Sequence, residues 1–209
     1  VETFVDFFIA FSVQLFIIVD PVAGVPVFLA ITPQNSRVER RQMAVRGCTA
    51  AFAVAVFFIL VGPWLVDYFG VRTAAIRICG GILLFIIAIE MLYGRPTGTG
   101  TSRREERLAE VKEDISITPL AVPLLAGPGA IATCLLFSAR AQGPFSYLAL
   151  LAGAAAVFGA TFLLLSRADE LVGWLGALGT AILTRIMGLI LAFIAVEYVV
   201  DGVVAVLKL

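Results

Sequence analysis

Histidine is absent from the 209 residues. That removes Ser-His and Cys-His catalysis, histidine-ligated metals and the commonest proton shuttle, and with them most enzyme chemistries. Charge is also scarce, at 14% of residues against roughly a quarter in soluble domains, while hydrophobic residues reach 61%. The 15 Lys and Arg balance the 15 Asp and Glu, so no basic excess suits a nucleic-acid partner. Cys48, Cys79 and Cys134 are scattered singly in apolar runs without CxxC spacing, and they read as small packing residues. No GxxxxGK[ST] segment occurs, so the chain carries no P-loop for an ATP-driven pump. These absences together predict an integral membrane protein that is not an enzyme and needs no metal or cofactor.

What is present is a series of long apolar segments. A membrane helix needs roughly 20 mainly apolar residues, and six segments qualify. They run from about Phe4 to Ile31, Met43 to Val61, Thr73 to Tyr93, Ile115 to Ala139, Phe145 to Ser166 and Thr180 to Val200. The first is interrupted at Asp20-Pro21 and the fourth at Gly127-Pro128-Gly129. The first segment lacks a basic start and a small-residue cleavage site, so it reads as a span and not as a removable signal peptide. Arg37, Arg40, Arg41 and Arg46 follow the first span, and Arg95, Arg103, Arg104, Arg107 and Lys112 lie in the central loop. Arg167 falls on the same side, and the opposite side receives only Arg72, Arg140 and Lys208. Basic loops stay cytoplasmic, which places both termini outside. Trp64, Tyr68 and Trp174 near span ends read as interfacial anchors.

The two halves repeat one another. "RICGGILLFI" from Arg77 matches "RIMGLILAFI" from Arg185 at an offset of 108, and "LVDYFG" from Leu65 matches "LVGWLG" from Leu171 at 106. The interrupted spans align Pro21 with Pro128 at 107. One transmembrane domain then divides into a first repeat of about residues 1–94, a cytoplasmic linker of about 95–114, and a second repeat of about 115–209. Three spans per repeat is an odd number, so the second copy crosses in the opposite sense. The predicted fold is an all-α polytopic membrane protein, six transmembrane helices in a 3+3 inverted repeat, with the first and fourth helices discontinuous.

The interruptions carry the candidate site. Pro21 and Pro26 lack N–H donors, so the helix should stop near Asp20 and restart, with Asp20 as its cap and Pro21 in its first turn. "LLAGPGAIAT", Leu124 to Thr133, repeats the device with glycines. Facing half-helix N-termini suit a carboxylate. The expected contacts are Pro21, Ala23, Gly24 and Val25 in the first copy, and Gly127, Pro128, Gly129, Ala130 and Ile131 in the second. Asp20 is the candidate for a ligand ammonium or for coupling to protons or another ion. Gln14, Ser12, Thr118 and Thr133 are candidates for a polar lining, with hydrogen bonds to a neighbouring helix or a carbonyl one turn back as the alternative. Arg77, Arg185, Glu90 and Glu197, equivalent in the two copies, either snorkel, form structural pairs, or gate by exchanging salt bridges. Ala152, Ala156 and Ala160, with Gly153 alongside, form a small-residue stripe expected to pack closely against a neighbour.

The combination of "DPVAGVPVFLAIT", "RVERRQMAVR", "RICGGILLFIIAIEML" and "PLAVPLLAGPGAIAT" resembles the MarC family of bacterial inner-membrane proteins along essentially the whole chain. That resemblance implies six spans and transport, notably export, of small neutral amino acids such as glycine and alanine. The family's first motif commonly reads Asn or Asp, Pro, any residue, Gly-Asn, any residue, Pro. Asp20, Pro21 and Pro26 match it, whereas Ala23 and Gly24 stand where Gly and Asn are usual. Pro123, Gly127, Pro128, Gly129, Ala130 and Thr133 match the second motif. The expectation is a secondary transporter of a small zwitterion in the bacterial inner membrane, working by alternating access. A small-solute channel and a non-transporting scaffold are the alternatives, and association with a second copy is left open.

Overall fold

The structure, a computed structural model, describes residues 4–33, 35–94 and 125–207. The predicted linker, the first half of the fourth span with Thr118 and Pro123, and Lys208 lie outside these residues. Every regular element among the described residues is a helix. α1 spans Phe4–Val19 and α2 Pro21–Ile31. α3 spans Arg37–Tyr68, α4 Thr73–Tyr93 and α5 Pro128–Ser138. α6 spans Pro144–Ser166 and α7 Ala168–Leu207. Five helical stretches are long and apolar enough to cross a membrane, counting α1 and α2 as one, and α5 is a shorter apolar helix.

The first span does break at Asp20, and the break is a single residue. Asp20 adopts φ 39 and ψ 62, the one positive φ at a non-glycine among the described residues. The ladder resumes at once, with the Asp20 N–H donating to Phe16 O and the Gly24 N–H to Asp20 O, both at 3.0 Å. Gly127 starts α5 without any side-chain cap. α3 runs well beyond the expected Met43–Val61. A reciprocal cap between Ser36 and Glu39 starts it among the arginines, and it continues through Pro63. Length there follows the caps and not the apolar run alone. α7 likewise starts before Thr180 and continues past Val200, with Gly176 at φ 63 and ψ 175 interrupting it, so its membrane-length part is Leu178–Leu207.

Helices in lipid gain little from burying apolar surface against one another, so close approach of backbones has to hold them. α4 packs along α7. A Cβ on Gly81 would stand 2.7 Å from Ala195 O, and one on Gly188 would stand 3.1 Å from Ala88 O. α6 packs on α1 and α3, where a Cβ on Gly153 would meet Ser12 Oγ at 2.7 Å and Phe11 at 2.8 Å. The expected close packing falls on Gly153, beside the alanine stripe, whereas Ala156 within the stripe is exposed. The larger core joins α1, α2, α3, α5 and α6 around Phe11, Phe28, Ile59, Phe137 and Leu150. A second cluster joins α4 and α7 around Leu84, Ala88, Leu191 and Ala195, and reaches Ile17 and Leu136.

At one end of the bundle Arg40 ties three elements together. Its Nε donates to Thr32 O, just past the end of α2, at 3.1 Å, and its Nη1 donates to Asp169 Oδ1 at the start of α7, also at 3.1 Å. Arg37 adds a longer contact to Asp169 at 3.5 Å.

The neighbours of a Gly81 Cβ include backbone atoms, which cannot swing away. Gly81→Ala should therefore lower the melting temperature of the detergent-purified protein, by an amount corresponding to the ~1–3 kcal/mol typical of overpacking. Gly159→Ala, where a Cβ meets nothing within 4 Å, should leave it unchanged or raise it. Equal melting shifts for the two variants would show that the α4–α7 approach is not a tight one.

Candidate functional site

Asp20 is 8% exposed and caps α2, with Oδ1 accepting from the Ala23 N–H at 3.2 Å. Of the first N–H groups on α2, that of Ala23 is taken by the Asp20 side chain and that of Gly24 by Asp20 O, which leaves that of Val22. The α5 N-terminus differs. Gly127 offers no side chain, Pro128 has no N–H, and the Ile131 N–H returns to Gly127 O, which leaves the Gly129 and Ala130 N–H groups without a cap among the described residues. The two breaks are equivalent in sequence and inequivalent as anion sites.

The structure brings the two breaks together. A Cβ on Gly129 would lie 2.9 Å from Ile18 Cγ2 and 2.5 Å from Ile87 Cδ1. The C-terminal end of α1 thus abuts the N-terminal end of α5, carbonyl end against N–H end. Pro21 cannot return a hydrogen bond to Ile17 O, so that carbonyl lacks its helical partner. Gly24 is buried, yet a Cβ there would meet nothing within 4 Å. Where the family commonly carries Asn, this chain has room. Beside Asp20 on the α7 side, the buried Thr184 hydroxyl approaches the carboxylate without reaching full hydrogen-bond geometry. Pro21 and Val25 are buried and Ala23 is half-buried, all on the first turns of α2, and Ala130 is buried behind Gly129.

Gln14 and Thr133 are 4% and 0% exposed. Gln14 Oε1 accepts from the Tyr198 hydroxyl at 3.1 Å, and its Nε2 has no partner; Thr133 Oγ1 has none either. Thr133 thus makes neither of the alternative bonds, to a neighbouring helix or to the carbonyl one turn earlier. The Ser12 hydroxyl is also unpartnered, against Gly153. Across the antiparallel α4–α7 pair, the Gly81–Ala195 and Ala88–Gly188 contacts put Arg77 level with Glu197 and Glu90 level with Arg185. Arg185 and Glu197 are exposed, and Arg77 and Glu90 are half-buried. Grooves of about 300 Å³ between α3 and α6, beside Phe52 and Phe158, and about 310 Å³ beside Arg167 and Trp174 touch neither break.

Sequence reasoning missed Tyr198, Thr184, and the isoleucines over Gly129. Tyr198 stands two residues from the expected end of the sixth span at Val200, where an aromatic reads as an interfacial anchor, and only the continuation of α7 to Leu207 puts it inside the span. Thr184 and Ile87 carried no signal, since only the helix crossings select them.

These features define a polytopic α-helical membrane protein whose first span is broken at bilayer depth and meets a second half-helix there. The chain belongs to the MarC family integral membrane proteins, whose sequence model matches residues 5–207. It is 37% identical over 197 residues to a membrane protein of Methanocaldococcus jannaschii, covering 94% of this chain and 95% of that one. It is 33% identical over 198 residues to membrane protein YvbG of Bacillus subtilis, covering 94% of each. It is 32% identical over 195 residues to inner membrane protein YhgN of Escherichia coli, covering 93% of this chain and 95% of that one. No solved structure matches the chain.

Gly129 is required by packing in this arrangement, whatever else it does. Gly129→Ala should destabilise the protein, by ~1–3 kcal/mol, and Ile87→Ala introduced beside it should recover part of that loss. Thermal melts of the two single variants and the double variant check the coupling. Strict additivity would mean that Ile87 does not close over Gly129.

Proposed function

We propose that this protein is a secondary transporter, an exporter of small neutral amino acids such as glycine or alanine, working by alternating access. One observation carries the reading: the carbonyl end of α1 meets the uncapped N–H end of α5 at a depth where unpaired backbone is tolerated only against protein or a watery cavity. A zwitterion complements that junction, its carboxylate on the Gly129 and Ala130 N–H groups and its ammonium on the carbonyls around Ile17. Ile18 and Ile87 cover the junction, so alternating access requires these side chains to part.

An inverted repeat of six spans accords with how the helices touch. If the second copy mirrors the first, α2 corresponds to α5, α3 to α6 and α4 to α7. The contact of α2 with α7 then has its counterpart in α5 with α4, and that of α3 with α5 in α6 with α2. The pairs α3–α6 and α4–α7 map onto themselves. In this reading the protein lies in the bacterial inner membrane with both termini outside, and the Arg40–Asp169 tie is on the cytoplasmic side.

The test is counterflow of radiolabelled glycine and alanine in liposomes holding the purified protein, with and without a pH gradient. Saturable exchange is the expected result. Flux that does not saturate would replace the carrier with a channel, and no flux would end the amino-acid reading. Asp20→Asn keeps an oxygen for the Ala23 N–H and removes the charge. It should retain exchange and lose the response to a pH gradient, and an unchanged response would remove Asp20 from coupling.

A further inference from the structure

Three other threonines in the described helices satisfy their hydroxyls by donating to the carbonyl four residues back. Thr32 reaches Phe28 O at 2.6 Å, Thr161 reaches Val157 O at 2.8 Å and Thr180 reaches Gly176 O at 3.1 Å. Thr133, fully buried, does not, and Gln14 uses only one end of its amide. A buried polar group left unpaired costs about 1–3 kcal/mol. Two of them at one place call for an explanation.

Two contacts fix where these groups lie. The Phe11 and Phe137 rings stand 5.3 Å apart, and Ile18 lies over Gly129. α1 and α5 are therefore antiparallel neighbours, and the same register sets Gln14 opposite Thr133. The free end of Gln14 is its Nε2, a donor, and the Thr133 hydroxyl is free to donate. A donor pair suits an acceptor. Two cations lie nearby, the Arg140 and Arg77 guanidinium groups both acting on the Tyr198 hydroxyl, with Glu197 level with Arg77.

The geometry points to a second station for the ligand's carboxylate, made by Gln14 and Thr133 and oriented by Tyr198, one helical turn from the paired breaks toward the end of the bundle that holds Arg140. The inference rests on the transporter reading. Gln14 precedes Ile18 by four residues, or about 6 Å along α1 at ~1.5 Å per residue. A hydrogen bond spans roughly 2.7–3.2 Å. A carboxylate held between Gln14 and Thr133 has therefore left the Gly129 and Ala130 N–H groups. A ligand that passes between successive weak sites can be bound and still leave. Tyr198 is a positioning residue: by donating to Oε1 it turns the amide donors of Gln14 the other way.

The experiment measures equilibrium binding of radiolabelled glycine and its exchange rate in the same proteoliposomes, with glycinamide, which lacks the carboxylate, as the comparison. Gln14→Glu keeps an acceptor for Tyr198 and places a carboxylate where Nε2 stood. Thr133→Val removes the other donor. Both should slow glycine exchange roughly tenfold, the size of one lost hydrogen bond to a charged group. Glycine affinity should stay within about twofold, and glycinamide exchange should not fall. Tyr198→Phe should slow glycine exchange in the same sense, and Thr133→Ser should restore it. Unchanged glycine exchange in Gln14→Glu and Thr133→Val would overturn the station. Affinity falling in step with exchange would place both residues in the central site, and overturn it as well. Absence of saturable glycine binding in the unaltered protein would take down the transporter reading together with this one.

Discussion

Every structural decision near the middle of this protein answers to one constraint: at bilayer depth no water is available to hydrogen-bond a free peptide group. Pro21 deprives the Ile17 carbonyl of its helical partner there, and Asp20 confines the break to its surroundings with its own atoms. It keeps the ladder running on both sides through its peptide N–H and carbonyl, and its carboxylate takes the Ala23 N–H. The left-handed conformation at this one residue is what lets all three bonds coexist with the proline. At Gly127 the chain has no side chain for the same task, and the exposed N–H groups are left to whatever lies across from them.

The same constraint orders the packing. Half-helices can end in the membrane only if protein covers their ends, and protein can cover them only if backbones come close. Glycines at helix crossings supply that closeness: Gly81 and Gly188 between α4 and α7, Gly153 between α6 and α1, Gly129 under Ile18 and Ile87. The polar side chains in the core then sort into two kinds. Thr32 and Thr161 are closed on their own helices, whereas Thr133, Thr184 and part of Gln14 are open. Gln14, Thr133 and Thr184 border the breaks or lie one turn away, while the Ser12 and Ser166 hydroxyls, equally unpartnered, lie farther off.

Much of this was legible in the sequence, for reasons specific to each element. α4 matched its expected ends, Thr73 and Tyr93, because apolar run and helix coincide there and Gly94 stops it in a left-handed turn. The break at Asp20 was legible because proline chemistry is local. The length of α3 was not, since a cap between Ser36 and Glu39 can start a helix in a charged stretch that hydropathy ignores. Of the small residues on α6 it is Gly153 and not exposed Ala156 that makes the close contact, because periodicity identifies a face and only the neighbouring helix selects the residue on it. Pairings such as Gln14 with Tyr198 join residues far apart in the chain, and no spacing rule reaches that far. The difference between the two half-helix ends was present in the residues themselves, a carboxylate in one and a glycine in the other.

The single-residue break has a mechanical corollary. α2 is a rigid rod of 11 residues, about 16 Å long at ~1.5 Å per residue, pivoted at Asp20 and gripped at its far end where Arg40 holds Thr32 O. A rotation of about 10° at the pivot displaces the far end by about 3 Å, enough to separate a hydrogen-bonded pair. The fulcrum itself barely moves. A torsional change confined to one peptide within the span is thus magnified at the far end of α2, and a displacement of Arg40 is geared down in the opposite direction to a fine adjustment at Asp20.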